Sequence, residues 1–382
     1  MRDAATGQVD TGRNWRSQMT ADTKTMTVCH VVGDLADQGG TWSCVRAVAA
    51  AGAREGVSHV VWMHRDYQPK DVALKFVCAG RLTQVNLSLT RDLACGMLDT
   101  VPLFRWVRKQ QNVVLHAHTR PGILAAALVC CLAGRPLVIH IHGMPRWRWV
   151  YRALRRVGGG TFVFNSHNTC RHFGDLPEQS HIVMPPIAWP THPPVPSGVP
   201  ARFVAAAAFY SWKNLHLIID AFDQLRPRHP TAQLDIYGDT GVEPASPYAR
   251  FLKERARRSS GVRLLKYDPA WLDQWRPSDV FVHAAENEPF GIVMLEALAR
   301  GCRMAVPPGT FLDELAPPPR MEGLYRAKGL NPSALAEAME AALMCPTTSQ
   351  QLWHRRLGLR HQFSAEHAVA QLDAIYRALG QR

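Results

Sequence analysis

The stretch Pro185-Pro-Ile-Ala-Trp-Pro-Thr-His-Pro-Pro-Val-Pro196 constrains this chain more than any other, because it continues neither helix nor sheet and divides 382 residues into near halves. Before it, short β-branched or apolar runs at 28–32, 57–63, 113–116, 137–142 and 161–164 alternate with helix-like segments at about 41–55, 91–110, 121–133, 145–157 and 168–174. After it the alternation resumes, with strand-like runs at 203–207, 233–237, 262–265, 280–283 and 304–306. A helix is expected over 214–225, with Asn214 as its cap and Leu215, Ile218, Ile219, Phe222 and Leu225 as its apolar stripe. Strand-helix alternation of this kind implies a parallel sheet covered on both faces in each half.

The predicted organisation is a disordered tail over 1–25, an α/β domain over 26–184, a linker over 185–200, a second α/β domain over 201–363 and an amphipathic helix in 364–382. The tail is polar and carries no hydrophobic signal core, and the longest apolar run, 123–133, is short of the roughly twenty residues a membrane helix needs, so no transmembrane span is expected. Nine cysteines without a C-x-x-C pair suit reduced thiols in a cytoplasmic protein. A net charge of +13 calls for an anionic partner. Nucleic acid, an anionic membrane surface and nucleotide-sugar diphosphates all qualify on charge, but no nucleic-acid recognition motif is present.

The chemistry concentrates at Glu288-Pro-Phe-Gly-Ile-Val-Met-Leu-Glu296, followed by Ala-Leu-Ala-Arg-Gly301. A buried strand at 279–283, a turn with Gly291 and a helix from Ile292 present free backbone N–H groups and a positive dipole end, which favour an anion. Glu296 would sit one turn in, among Ile292, Val293, Leu295 and Leu298, where a carboxylate needs a partner. The plainer alternative pairs it with Arg300 at i,i+4. Gly39-Gly40-Thr41 lies between the first strand and its helix, where open α/β sheets bind ligands.

This E-x7-E segment with its internal Pro-Phe-Gly resembles the retaining glycosyltransferases of the GT-B fold, specifically glycosyltransferase family 4, the group 1 transferases. The resemblance implies two Rossmann-like parallel-sheet domains facing a central cleft. It implies that Glu296 binds the donor ribose, that Glu288 lies by the donor sugar, and that the Phe290, Gly291 and Ile292 backbone meets the diphosphate. Gly39 and Gly40 would face the donor phosphates, Lys213 would bind phosphate, His118 would act near the sugar, and His142 and Arg120 would lie on the acceptor side. The sequence departs from the family pattern at Ala207 and Ala208, where Gly-Arg is expected, and at Asn214, where a second Gly is expected. The lost guanidinium would forgo a charge-assisted bond of about 1.5–3 kcal/mol, for which Arg120 or Arg146 could substitute.

The activity so implied is that of a retaining, hexosyltransferase-type enzyme, moving sugar from a nucleotide-sugar to a glycan or lipid-linked acceptor in cell-envelope or exopolysaccharide synthesis. It needs no cofactor and no metal. The alternative is a non-catalytic relative serving as a binding or scaffold module. His116-Ala-His118 and His140-Ile-His142 each place two imidazoles on one sheet face, but no acidic or thiol ligand accompanies them at ligand spacing, so a metal site is not expected. His116 and His140 are expected to fill packing layers, and His118 an exposed lip.

The run Pro145 to Arg156 interleaves five arginines with two tryptophans and a tyrosine. As a helix it would gather Trp147, Val150, Tyr151 and Leu154 on one face, beside Arg146, Arg148, Arg152, Arg155 and Arg156. That pattern suits peripheral attachment to the inner face of the plasma membrane. An ordinary sheet-covering helix with solvated arginines is the competing reading.

Overall fold

The computed structural model describes residues 26–33, 39–53, 56–69, 71–81, 89–174, 180–190, 202–239, 246–266, 268–313, 315, 323–344 and 348–380. The expected tail over 1–25 and residues 191–200 of the expected linker lie outside them. The chain divides into two compact units, Met1–Pro186 with Ala365–Arg382, and Ile187–Ser364.

The elements of the first unit are β1 (Met26–Val31), α1 (Gly40–Gly52), β2 (Val57–His64), β3 (Lys75–Gly80), α2 (Leu89–Val107), β4 (Val113–Ala117), α3 (Arg120–Ala133), β5 (Leu137–Ile141), α4 (Arg148–Gly158), β6 (Thr161–Phe164), α5 (His167–Phe173) and β7 (Ser180–Ile182). The second unit contains β8 (Phe203–Ala206), α6 (Leu215–Leu225), β9 (Leu234–Asp239), α7 (Pro247–Arg258), β10 (Val262–Lys266), β11 (Val280–Val282), α8 (Ile292–Ala299), β12 (Arg303–Val306), β13 (Leu324–Arg326), α9 (Pro332–Met344) and α10 (Ser349–Gln362). The last helix, α11 (Ala365–Gly380), belongs to the first unit.

Both sheets are parallel, in the orders β3-β2-β1-β4-β5-β6-β7 and β10-β9-β8-β11-β12-β13. In each, the direction of strand addition reverses beside the first strand, between β1 and β4 and between β8 and β11. Chain leaving adjacent strands in opposite directions opens a crevice at their carboxyl ends, where such sheets bind ligands.

Parallel strands must be covered twice. In the first unit Cys29, Val31, Leu115, Ala117, Leu137 and Ile139 pack into one core, while Val28, Val114, Val138 and Val163 pack with α1 and α11 through Cys44, Val48, Val369, Leu372 and Tyr376. In the second unit the α6 stripe is wholly buried against Phe203, Leu234 and Ile236. Truncating a buried ring such as Phe222 would cost about 3–5 kcal/mol.

Three strands escape the sequence pattern, β3, β7 and β13. Each is a sheet edge with a half-exposed face, so none shows the continuous apolar run of a central parallel strand. Asn214 caps α6 differently from the expectation. It takes a left-handed conformation with φ 51° and ψ 34°, closing the 3-10 turn Ser211–Lys213, and makes no side-chain cap bond.

Candidate active site

In the second unit the expected residues converge at the switch point. β11 ends at Val282, and His283 still donates its backbone N–H to Ala305 at 3.0 Å. The chain then turns through Asn287, left-handed at φ 52°, and Gly291 at φ 83°, before entering α8. At Gly291 the left-handed backbone angle asks for glycine, and a Cβ would also press on the Met294 methyl and on Glu288 Cγ. Phe290 anchors this turn from below, stacked on Phe311 with ring centroids 4.3 Å apart. Among the described residues no side chain caps α8, and its first backbone amides are available to an anion.

The turn is tied to the 3-10 turn Ser211–Lys213 that follows β8, since Glu286 N–H donates to Trp212 O at 3.2 Å. Lys213 thereby reaches Glu288, its Nζ donating to Oε2 at 2.6 Å while resting over the Trp212 ring at 3.9 Å. His283 Nε2 lies 3.4 Å from the same carboxylate oxygen. Burial alone would push Glu288 up, but His283 and Lys213 outweigh it and hold the carboxyl at about 2. Glu288 is therefore ionised, and it fixes the lysine ammonium beside the helix N-terminus.

Glu296 is the opposite case. Its side chain keeps partial surface exposure, yet burial of the carboxyl pushes it up to about 7 against the weaker opposing pull of Arg300. The alternative i,i+4 ion pair does not form. Arg300 Nε donates to Leu272 O at 2.6 Å and Nη1 to the Glu296 carbonyl at 3.4 Å, with Asp273 at 3.6 Å. Among the described residues no side chain hydrogen-bonds the Glu296 carboxylate. An enclosed, unpartnered acceptor pair is suited to a diol.

No guanidinium stands at Ala207 or Ala208. Ala207 N–H pairs with Tyr237 O at 3.1 Å, and the backbone at Gly238 comes so close that a Cβ there would lie 2.0 Å from Ala207 O.

In the first unit Gly39 and Gly40 are exposed at the start of α1, and Gly39 takes φ 87°. A Cβ on Gly39 would touch nothing within 4 Å, so its backbone angle rather than packing asks for glycine. Residues 34–38 just before them lie outside the described set. Thr119 caps α3 by accepting from Gly122 N–H, and Arg120 behind it contacts Asp92 at 2.9 Å and lies 5.2 Å from the Trp147 ring. Burial raises the Asp92 carboxyl, and Arg120 opposes that rise.

His118 corrects an expectation. It is buried rather than at an exposed lip, with Nε2 3.0 Å from His30 Nδ1 and Nδ1 2.9 Å from His142 Nε2. His142 is the half-exposed member. His116 and His140 lie buried in the packing layer as expected, where they also bond each other at 3.1 Å and His116 meets Tyr376 Oη at 2.7 Å. Sequence reasoning passed over His30, His59 and Tyr376, which join this network, and His283 beside Glu288. His283 closes the same short strand that introduces the motif, five residues before Glu288, and that spacing was the available signal.

The expected apolar stripe of α4 forms one face, as in the sheet-covering reading. Trp147, Val150, Tyr151 and Leu154 turn inward to line a pocket with Leu89, Leu93 and Arg120, Tyr151 buried and the other three partly exposed. Arg148 and Arg152 donate to carbonyls at the end of α5. Trp149, Arg146 and Arg156 remain exposed. Among the described residues no helix is long and apolar enough to cross a membrane.

Two family models match the chain, one described as Glycosyl transferases group 1 over residues 197–355 and one as Glycosyltransferase Family 4 over residues 38–187. No curated protein matches the sequence. Among solved structures the chain is similar to Anabaena HepE in complex with UDP and glucose, at TM-score 0.74 and 16% identity over 93% of this chain and 100% of that one. It is similar to sucrose-phosphate synthase from Thermosynechococcus elongatus, at TM-score 0.74 and 17% identity over 93% and 99% of the two chains. The catalytic domain of Arabidopsis thaliana starch synthase IV, bound to ADP and acarbose, gives TM-score 0.72 at 12% identity over 94% and 100%.

Proposed function

This chain belongs to the GT-B glycosyltransferases of the group 1 and family 4 type, and on that premise we propose that it transfers a hexosyl unit from a nucleotide-diphosphate sugar with retention of anomeric configuration. The observation that carries the reading is the contrast around one turn. An ionised Glu288 steers Lys213 toward the uncapped start of α8, while an unpartnered Glu296 waits one turn further on. The ammonium and the amides suit a diphosphate, and the carboxylate suits a ribose diol. UDP, ADP and glucose bound to the similar structures are consistent with such a donor.

In this mechanism the bond from the anomeric carbon to the diphosphate oxygen breaks as the acceptor oxygen attacks from the same face. Lys213 and the α8 amides take up the negative charge on the leaving group, and the acceptor proton passes to a departing phosphate oxygen. No metal is required. Within the first unit the exposed backbone of Gly39 and Gly40 suits an anionic group, and His142 and Arg120 suit a sugar or acceptor. His118, neutral and doubly hydrogen-bonded, positions His142.

The acceptor is a glycan or a lipid-linked sugar, used at the cytoplasmic face of a membrane in envelope or exopolysaccharide synthesis. With the Trp147–Tyr151 stripe turned inward, the surface left for anionic lipid is Arg146, Trp149 and Arg156, which supports only weak, salt-sensitive contact. The test is incubation of the purified chain with a panel of nucleotide sugars and glycan acceptors, reading the anomeric configuration of the product by NMR. A product of retained configuration is expected. Donor binding with no turnover on any acceptor would instead favour a non-catalytic module, the reading for which Ala207-Ala208 speaks.

A further inference from the structure

Six of the chain's 17 histidines, His30, His59, His116, His118, His140 and His142, gather on one face of the first sheet. Strand register brings them there. His30 pairs across from His116, and the alternation that places His116 on this face does the same for His118, as it does for His140 and His142. Transfer of a hexose asks for no such assembly.

We propose that His118, His140 and His142 form a binding site for a borderline divalent transition metal, of which Zn2+ is the type, with a fourth position open to water. One ring nitrogen from each of the three comes within 4.8 Å of one from each of the others. His118 Nδ1 and His142 Nε2 already stand 2.9 Å apart, near the roughly 3.3 Å that separates two ligands held 2.0–2.1 Å from a tetrahedral zinc. The ion would take the place of the proton now between them. His140 supplies the third ligand because its Nδ1 is engaged by His116 at 3.1 Å, while its Nε2 is buried with no hydrogen-bond partner among the described residues.

The remaining histidines are what a metal site has behind its ligands. If His118 binds through Nδ1, its Nε2–H donates to His30 Nδ1, and His30 Nε2–H donates to His59 Nδ1 at 2.9 Å. If His140 binds through Nε2, its Nδ1–H donates to His116 Nε2, and His116 Nδ1–H donates to Tyr376 Oη at 2.7 Å. One consistent set of tautomers serves every bond, and each such donor fixes the orientation of the ligand in front of it.

Access and ligand chemistry favour binding. His142 is half-exposed and Gly143 beyond it is exposed, which gives the ion an entry. An all-imidazole set selects Zn2+, Co2+, Ni2+ or Cu2+ over Mg2+ and Ca2+, which prefer oxygen.

The experiment titrates the chelator-stripped full chain with Co2+ as a spectroscopic probe for Zn2+. One equivalent should give the visible ligand-field bands of a tetrahedral site, which Zn2+ removes and Mg2+ does not. Zn2+ should also raise the melting temperature by mass action. His140→Asn and His142→Ala should each abolish the bands or weaken binding at least tenfold, and His142, being half-exposed, can be replaced with the fold intact. Absence of tetrahedral bands, or bands and stoichiometry unchanged in His142→Ala, would overturn the proposal and place any bound metal on surface histidines.

Discussion

The carboxyl ends of the two sheets carry polar clusters of opposite character. In the second unit a buried carboxylate is ionised because Lys213 and His283 stand beside it, and charge is kept in place by an opposite charge. In the first unit buried imidazoles stay neutral because their neighbours are other imidazoles, so desolvation wins and hydrogen bonds alone hold the group. The same strand-loop-helix geometry thus yields an uncapped helix start beside a charged pair in one case and a network of neutral imidazoles in the other. Neighbouring side chains, rather than the fold, decide which.

The largest expected effect comes from breaking the charged cluster. Lys213→Ala removes the proposed leaving-group contact and takes the ammonium away from the buried Glu288, so turnover should fall by about two orders of magnitude or more. Loss of one partner of a buried pair should also cost about 3–5 kcal/mol, read by denaturant unfolding. The acid response sharpens the point. Because Glu288 is held at about 2, below its ordinary 4.5, its contribution is present above about pH 4.5 and lost as pH falls toward 2. That acid loss should shrink in Lys213→Ala. Unchanged turnover and unchanged acid sensitivity would mean that the pair is ornamental.

The neutral cluster should break more gently. His118→Ala removes two buried hydrogen bonds and leaves partners on His30 and His142, a loss of about 1–3 kcal/mol. The rate should also fall, because His142 loses its support, and the comparison with His118→Asn separates packing from hydrogen bonding. A smaller effect still is expected from metal removal: EDTA should not lower the transfer rate, because without the proposed ion the His118–His142 hydrogen bond holds His142 in place. Activity abolished by EDTA and restored by a divalent ion would reverse the contrast between the two units. Smallest of all is lipid binding. With the α4 stripe turned inward, pelleting on anionic vesicles should be slight at low salt and absent at high salt, whereas strong association with neutral vesicles would show that the stripe can turn outward.

How legible these regions were follows from the same physics. Central strands announced themselves as continuous apolar runs, and all five residues of the expected α6 stripe are buried, with Ala221 added beside them. The edge strands β3, β7 and β13 did not, because half-exposed backbone imposes no such run. Glu288, Gly291 and Glu296 could be picked out because one continuous turn specifies them. Their electrostatics could not, since the ionisation of Glu288 depends on Lys213, 75 residues away. The histidine network was hidden for a similar reason. Two pairs were visible as local alternation, but His30 and His59 join only through parallel register, and Tyr376 only through the last helix.

The central claim is that the β11–α8 turn binds a nucleoside diphosphate, with Glu296 on the ribose. Glu296 is raised from 4.5 to about 7, so the stability gained by keeping it protonated is present below about pH 4.5 and lost as pH rises through 7. A ribose diol donating to the carboxylate favours the ionised form and expels the proton. The direct measurement is calorimetric titration with UDP, ADP and GDP at about pH 6.5, in two buffers of different ionisation enthalpy. At least one nucleotide should bind with proton release, and Glu296→Gln should bind it about 10–100-fold more weakly with no release, the loss expected of a charged hydrogen-bond acceptor. Equal affinity and equal proton release in the wild type and in Glu296→Gln would contradict the assignment.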